Sequence, residues 1–231
     1  VMRKIFSGLL QMFRLVFSSL HVSANEIITK KYCKFKEISI YTQAYNYDNK
    51  EYECIVFLHG LGGNHTDGSF LYNSDNKYMT ITIDMLNHGQ SGKTQNITWD
   101  EYIDAVKAVI DSYGIKKIHF IGHSLGADAA MIYAKKYPED VTDIILLDRA
   151  YYNFSDAARY NFTPSFYKVL EYNPDSGLDY TSLSALIDMS SENDITKTWD
   201  IKKDVLLLAA NPYWPAPVNG EPSIVDYIAA I

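Results

Sequence analysis

The sequence predicts an α/β protein in which a mostly parallel sheet is covered by helices on both faces. Short continuous apolar runs alternate with helix-period segments along most of the 231 residues, and such runs suit strands buried on both faces. One junction is distinctive: Ile121-Gly122-His123-Ser124-Leu125-Gly126 joins an apolar run directly to a helical one. Composition agrees, since 47% apolar and 21% charged residues fit a single globular domain with a full core.

Residues 1–29 read as a leader or amphipathic helix. Met2-Arg3-Lys4 is a basic start, and Val22-Ser23-Ala24 is a small-residue ending of the kind a secretory signal carries. Gln11 and Arg14 interrupt the apolar run, and Ile5, Leu9, Phe13, Phe17 and Leu20 recur at helical spacing. No stretch reaches the ~18 apolar residues of a membrane span. The expected location is cytoplasmic, or secreted if residues 2–24 act as a signal.

The domain proper runs over 30–231. Tyr32 to Phe35 and Ile38 to Tyr45 read as an antiparallel strand pair, followed by strands at Cys54–Leu58 and Met79–Ile83. Thr98-Trp99-Asp100-Glu101 fits a capping box, which opens a helix with Tyr102, Val106, Val109 and Ile110 on one face. Gly114 is its stop. Strand 119–122, helix 125–137, strand 143–148 and strand 204–209 follow. An aromatic and polar insert at about 151–200 interrupts the alternation, with helical patches near 165–172 and 181–189. Residues 223–231 read as a helix with no strand after it, so the expectation is a chain cut short before its last strand. Cys33 and Cys54 fall on strands, lack zinc-type spacing and read as buried thiols. A net charge of −7 offers phosphate no basic face and argues against nucleic-acid binding.

Ser124 carries the chemistry. A serine hydroxyl is a poor nucleophile unless it is exposed, held and deprotonated on demand. A tight strand-to-helix turn lifts it clear of the sheet, and Gly122 and Gly126 relieve crowding there. The alternative is a glycine-rich turn with an incidental serine. Upstream, His59-Gly60-Leu61-Gly62-Gly63 follows a strand directly. Such a turn can aim the N–H of Leu61 at the point faced by the N–H of Leu125, and two converging donors stabilise an oxyanion. The glycines also fit a plain loop, and less well a phosphate cradle, because neither the P-loop pattern nor G-x-G-x-x-G is present. His59 reads as a brace for this loop rather than a base.

Together, His59-Gly60, the turn Asp84-Met85-Leu86-Asn87-His88-Gly89-Gln90-Ser91 and Gly122-His123-Ser124-Leu125-Gly126 resemble the α/β-hydrolase superfamily in its esterase and lipase-like branch. Asn87 stands where that turn usually has glycine, and Asn is the next best residue for a left-handed backbone. The resemblance covers about 30–230. It implies an eight-stranded sheet, a small cap after strand six, a Ser–acid–His triad and no cofactor or metal. It also implies a small-molecule acyl substrate, a carboxylic ester or a relative of one.

The triad acid implied after strand seven is absent, since that strand runs into Asn211-Pro212-Tyr213-Trp214. Asp148, after strand six, is the candidate, with Glu221 an outside choice; the competing reading of Asp148 is a strand-end residue paired with Arg149. The base is missing. All six histidines lie at or before position 123, and His123 is expected to point away from the reaction centre. Either the histidine lies beyond residue 231, or the chain is a non-catalytic relative or inactive fragment. Cap aromatics such as Tyr151, Tyr152, Phe154, Tyr160, Phe162, Phe166 and Tyr167 either line an acyl pocket or pack the cap to the core. The sequence leaves the oligomeric state open.

Overall fold

The computed structural model describes residues 28–48, 53–72, 78–148, 174–192 and 201–208. The leader, residues 151–173 of the insert with their aromatics, Arg149, Asn211, Glu221 and the terminal helix all lie outside the described residues.

Strands β1 (Ile28–Phe35), β2 (Ile38–Tyr45), β3 (Glu53–Leu58), β4 (Tyr78–Ile83), β5 (Ile118–His123), β6 (Val141–Leu147) and β7 (Asp204–Leu208) form one sheet in the order β1-β2-β4-β3-β5-β6-β7. The β1–β2 and β2–β4 pairs are antiparallel, and every pair from β4 to β7 is parallel. The first strand starts four residues before its expected Tyr32, at Ile28. Its side chains alternate between water and core: Lys30, Tyr32 and Lys34 are exposed, while Cys33 and Phe35 are buried. The exposed Lys30 and Lys34 on this edge strand discourage pairing with another chain. Both cysteines are free and buried, as expected, and burial pushes the Cys54 thiol up to about 12.

Helix α1 (Trp99–Tyr113) begins where expected: Thr98 Oγ1 accepts from the Glu101 N–H at 3.2 Å. The reciprocal half of the capping box is replaced, because the Glu101 carboxylate takes Lys36 at 2.6 Å instead. Gly114 ends the helix in the left-handed conformation, φ 70°. Tyr102, Val106, Val109 and Ile110 are buried. Helix α2 (Leu125–Lys136) is buried on nearly every side, and its alanines let it lie close to β3, β5 and β6. Helix α3 (Tyr180–Glu192) lies in the returning part of the insert and buries Leu183, Leu186 and Met189. No described helix is long and apolar enough to cross a membrane.

Strand register decides what meets at the carboxyl edge. Leu58 pairs with Gly122, Leu58 with Ile83, and His123 with Leu147. Carried one or two residues further, this brings the loop at Gly60 beside Ser124, His59 beside the start of the Asp84 turn, and Ser124 beside Asp148.

Candidate active site

Ser124 caps α2 at φ 49°, ψ −114°, a combination disfavoured for any residue with a side chain. Its backbone is held on both sides: its N–H donates to Leu147 O at 3.0 Å, and its carbonyl accepts from Ala127 and Asp128. The flanking glycines are needed sterically. A Cβ on Gly122 would lie 2.7 Å from Ala127 Cα, and one on Gly126 would strike the carbonyl oxygens of Leu58 and His59. The Ser124 side chain is half-buried, so the corner leaves it partly open to water.

The loop after β3 folds against this corner. A Cβ built on Gly60 would lie 3.2 Å from Ser124 Cβ and 2.9 Å from His123 Nδ1. Gly63 N–H closes the turn onto Gly60 O at 3.0 Å. Neither the Leu61 nor the Leu125 N–H donates to a carbonyl of a described residue outside the helices and strands. Leu125 begins a helix, where four amides start without partners and the dipole favours negative charge. The structure thus puts Gly60, the residue before Leu61, beside Ser124, the residue before Leu125. The ring of His123 lies against Gly60, because the 122/58 register faces the two chain ends toward each other. Burial lowers its pKa, against the pull of Asp148 and Asp67.

Asp148 leaves β6 at φ 49°, its N–H held by Leu208 O at 2.8 Å, with its side chain exposed. Its carboxylate is near enough to favour a proton on His123.

His59 is a brace. Its Nδ1 donates to Gly60 O at 2.8 Å and its Nε2 accepts from the Met85 N–H at 3.0 Å. A neutral ring with its lone pair already used cannot take a proton from serine. His88 stacks edge-on to it at 4.8 Å, donates from Nδ1 to Leu86 O, and has a buried Nε2 with no partner among the described residues. Burial, and then His59, push its pKa down to about 3.

Sequence reasoning misses the clamp beneath these loops. Asp84 Oδ1 accepts from the His65 N–H at 2.6 Å and from His65 Nδ1 at 2.7 Å, while Oδ2 accepts from the Gln90 N–H at 2.7 Å. Burial opposes the charge on Asp84, but these bonds outweigh it and hold the carboxyl below the usual range. His65 and Asp84 are 19 residues apart, so no local pattern announces them. Asn87 has the left-handed backbone expected of it, φ 71°. Asn64 is a second omission, although Asn before a helical turn is a recognisable cap; its Oδ1 accepts from the Thr66 N–H at 2.8 Å.

A shallow groove lined by Thr142, Ile201, Lys202, Lys203 and Asp204 lies at the opposite end of the strands. It holds none of this chemistry, and in parallel α/β sheets ligands bind at the carboxyl ends. No group of three or more His, Cys, Asp or Glu among the described residues could hold a metal ion.

A family model for the alpha/beta hydrolase fold matches residues 53–184. The chain belongs to the α/β-hydrolase family. Among similar proteins, an ethanol acetyltransferase 1 of Cyberlindnera jadinii is 34% identical over 112 residues, 46% of this hydrolase-fold chain and 32% of that protein. A probable lysophospholipase, BODYGUARD 1 of Arabidopsis thaliana, is 30% identical over 115 residues, 46% of this chain and 24% of that protein. The chain therefore spans about a third or less of the length of these relatives. Among solved structures, MGS-M2, an alpha/beta hydrolase enzyme from a deep-sea metagenome library, superposes with a TM-score of 0.63 at 19% identity, covering 77% of this chain and 78% of that one. At that identity the likeness concerns the fold alone.

Proposed function

We propose that this α/β-hydrolase-fold chain forms the reaction centre of a serine hydrolase for carboxylic esters or related acyl compounds. The observation that carries this is the close approach of the Gly60 backbone to Ser124, where a Cβ on Gly60 would crowd Ser124 Cβ, at a strained corner. Ser124 Oγ attacks the acyl carbonyl carbon and gives its proton to a histidine. The oxygen left negative is held by the N–H groups of Leu61 and Leu125. The alkoxide leaves with a proton returned by that histidine, and water then cleaves the acyl-serine by the same route. Asp148 steadies the imidazolium. His59 and His65 are engaged in the bonds given above and His88 is buried, so none of these three serves as the base. No metal or organic cofactor enters these steps.

A second reading is favoured by the relatives called ethanol acetyltransferase: the acyl group passes to an alcohol instead of water. The acyl-serine step is the same in both.

Fluorophosphonate labelling and p-nitrophenyl acetate turnover by the full-length protein test the proposal. Ser124→Ala should abolish labelling and lower kcat on the order of 10⁶-fold, as loss of a triad nucleophile does. Turnover that survives this change would refute it. Adding ethanol and following ethyl acetate separates hydrolysis from transfer.

A further inference from the structure

The polypeptide returning from the insert grips the loop after β3, whose Gly60 lies against Ser124, and the turn after β4. Asp175 O accepts from Asn64 Nδ2 at 3.2 Å, and Ser176 O accepts from the Gly89 N–H at 2.6 Å. Asp179 pairs with Lys93 at 2.9 Å. Ser176 is 1% exposed, so the grip is closed to solvent at its centre. Gly177 sits at φ 69°, and a Cβ there would lie 2.7 Å from the Gly89 nitrogen. Such an approach tolerates no side chain. Residues 174–179 therefore lie as a strap across the loop after β3 and the turn after β4.

Asn64 is where the strap meets the candidate oxyanion loop. Its amide oxygen caps the short 3₁₀ turn His65–Leu71, accepting from Thr66 N–H and Thr66 Oγ1. Its amide nitrogen holds the strap. Gly60, against Ser124, lies on the same loop just before it. From below, Asp84 ties His65 and Gln90, the immediate neighbours of Asn64 and Gly89. The loop after β3 is thus fixed at one place from two sides: by a buried carboxylate inside and by the strap outside.

We propose that Asn64 is a positioning residue for the Leu61 N–H, and that the strap 174–179 makes that placement depend on the insert being seated. This rests on the serine-hydrolase reading for its catalytic meaning. With the strap engaged, Leu61 is aimed before substrate arrives. With it lifted, the loop loses the Asn64 tie and keeps the turn at Gly60–Gly63, the His59 brace and the bonds to Asp84. Substrate contacts that seat the insert would then act on the chemical step, not on binding alone.

The test uses Asn64→Asp in the full-length protein. The carboxylate keeps an acceptor for Thr66 but removes the donor and sets an anion against Asp175 O. With p-nitrophenyl acetate, kcat should fall about tenfold with KM within about twofold, less than the ~10²–10³ of an oxyanion donor removed outright. Hydrogen exchange should quicken at the Gly63 and His65 amides and stay unchanged in α1. Gly177→Ala, which lifts the strap with Asn64 intact, should reproduce both effects. The proposal is overturned if Asn64→Asp leaves kcat and those amides as in the parent, if only KM moves, if exchange quickens across the whole sheet, or if Gly177→Ala is silent. A protein without Ser124-dependent turnover would refute the hydrolase reading. The exchange experiment would still decide the strap: lost protection at Gly63 and His65 supports it, and unchanged protection overturns it.

Discussion

The two ends of the sheet treat polar groups in opposite ways. At the carboxyl ends, His59, Asp84, Asn87, His88 and Ser91 are buried, and strained backbone recurs at Ser124 and Asp148. At the amino ends, His119 lies between Asp143 at 2.9 Å and Glu53 at 3.5 Å, with Tyr78 edge-on to its ring. Glu53 is mostly and Asp143 partly open to water, where such pairs contribute ~0–1 kcal/mol. One end is built from obligatory hydrogen bonds in a low dielectric, the other from optional ones. Loops that must hold a reacting group within a fraction of an ångström need the first kind.

The largest effect on stability is expected at Gly126. Gly126→Ala drives a methyl into the Leu58 and His59 carbonyls. Neither β3 nor α2 can retreat without opening the core, so a loss above about 3 kcal/mol should appear in urea unfolding. A smaller loss would mean that α2 packs less tightly than the structure has it.

Acid should loosen the carboxyl end first. Burial lowers His59 and pushes His88 down to about 3 from an ordinary 6.5. Between those values the unfolded chain binds protons that the folded one refuses, so stability rises with pH there and falls as pH drops below 6.5. Each histidine contributes a slope of up to about 1.4 kcal/mol per pH unit. His88→Asn should flatten the slope measured by thermal unfolding from about pH 7 to about pH 5. The stabilisation from Asp84 has the depressed-carboxylate sign: it is present above the ordinary value and lost as pH falls through its lower folded value.

Ser124→Gly should abolish labelling yet raise stability by about 1 kcal/mol, because glycine tolerates a positive φ that serine does not. An equal loss of stability would show that the corner is unstrained. The smallest effect belongs to the other end: His119→Asn should change unfolding by less than about 1 kcal/mol and leave kcat unaltered.

Much of the fold is legible in the sequence because it is local. The runs Cys54–Leu58 and Met79–Ile83, the Thr98 cap, the Gly114 stop and the Gly-x-Ser-x-Gly corner are each set within about ten residues by periodicity, capping and steric relief. The surroundings of His123 are not local, because its neighbour Gly60 arrives from another strand. Asp84 with His65 and Asn64 with Asp175 escape for the same reason, their partners lying 19 and 111 residues away.

The order of amino acids alone specifies which segments are strands and helices and which serine stands at a corner between them. What faces that serine is fixed only once the sheet assembles. The reason is register: pairing Leu58 with both Gly122 and Ile83 is a choice among strand alignments. A one-residue slip would turn the buried face outward, so the energy that selects the alignment belongs to the assembled core rather than to any single stretch of chain.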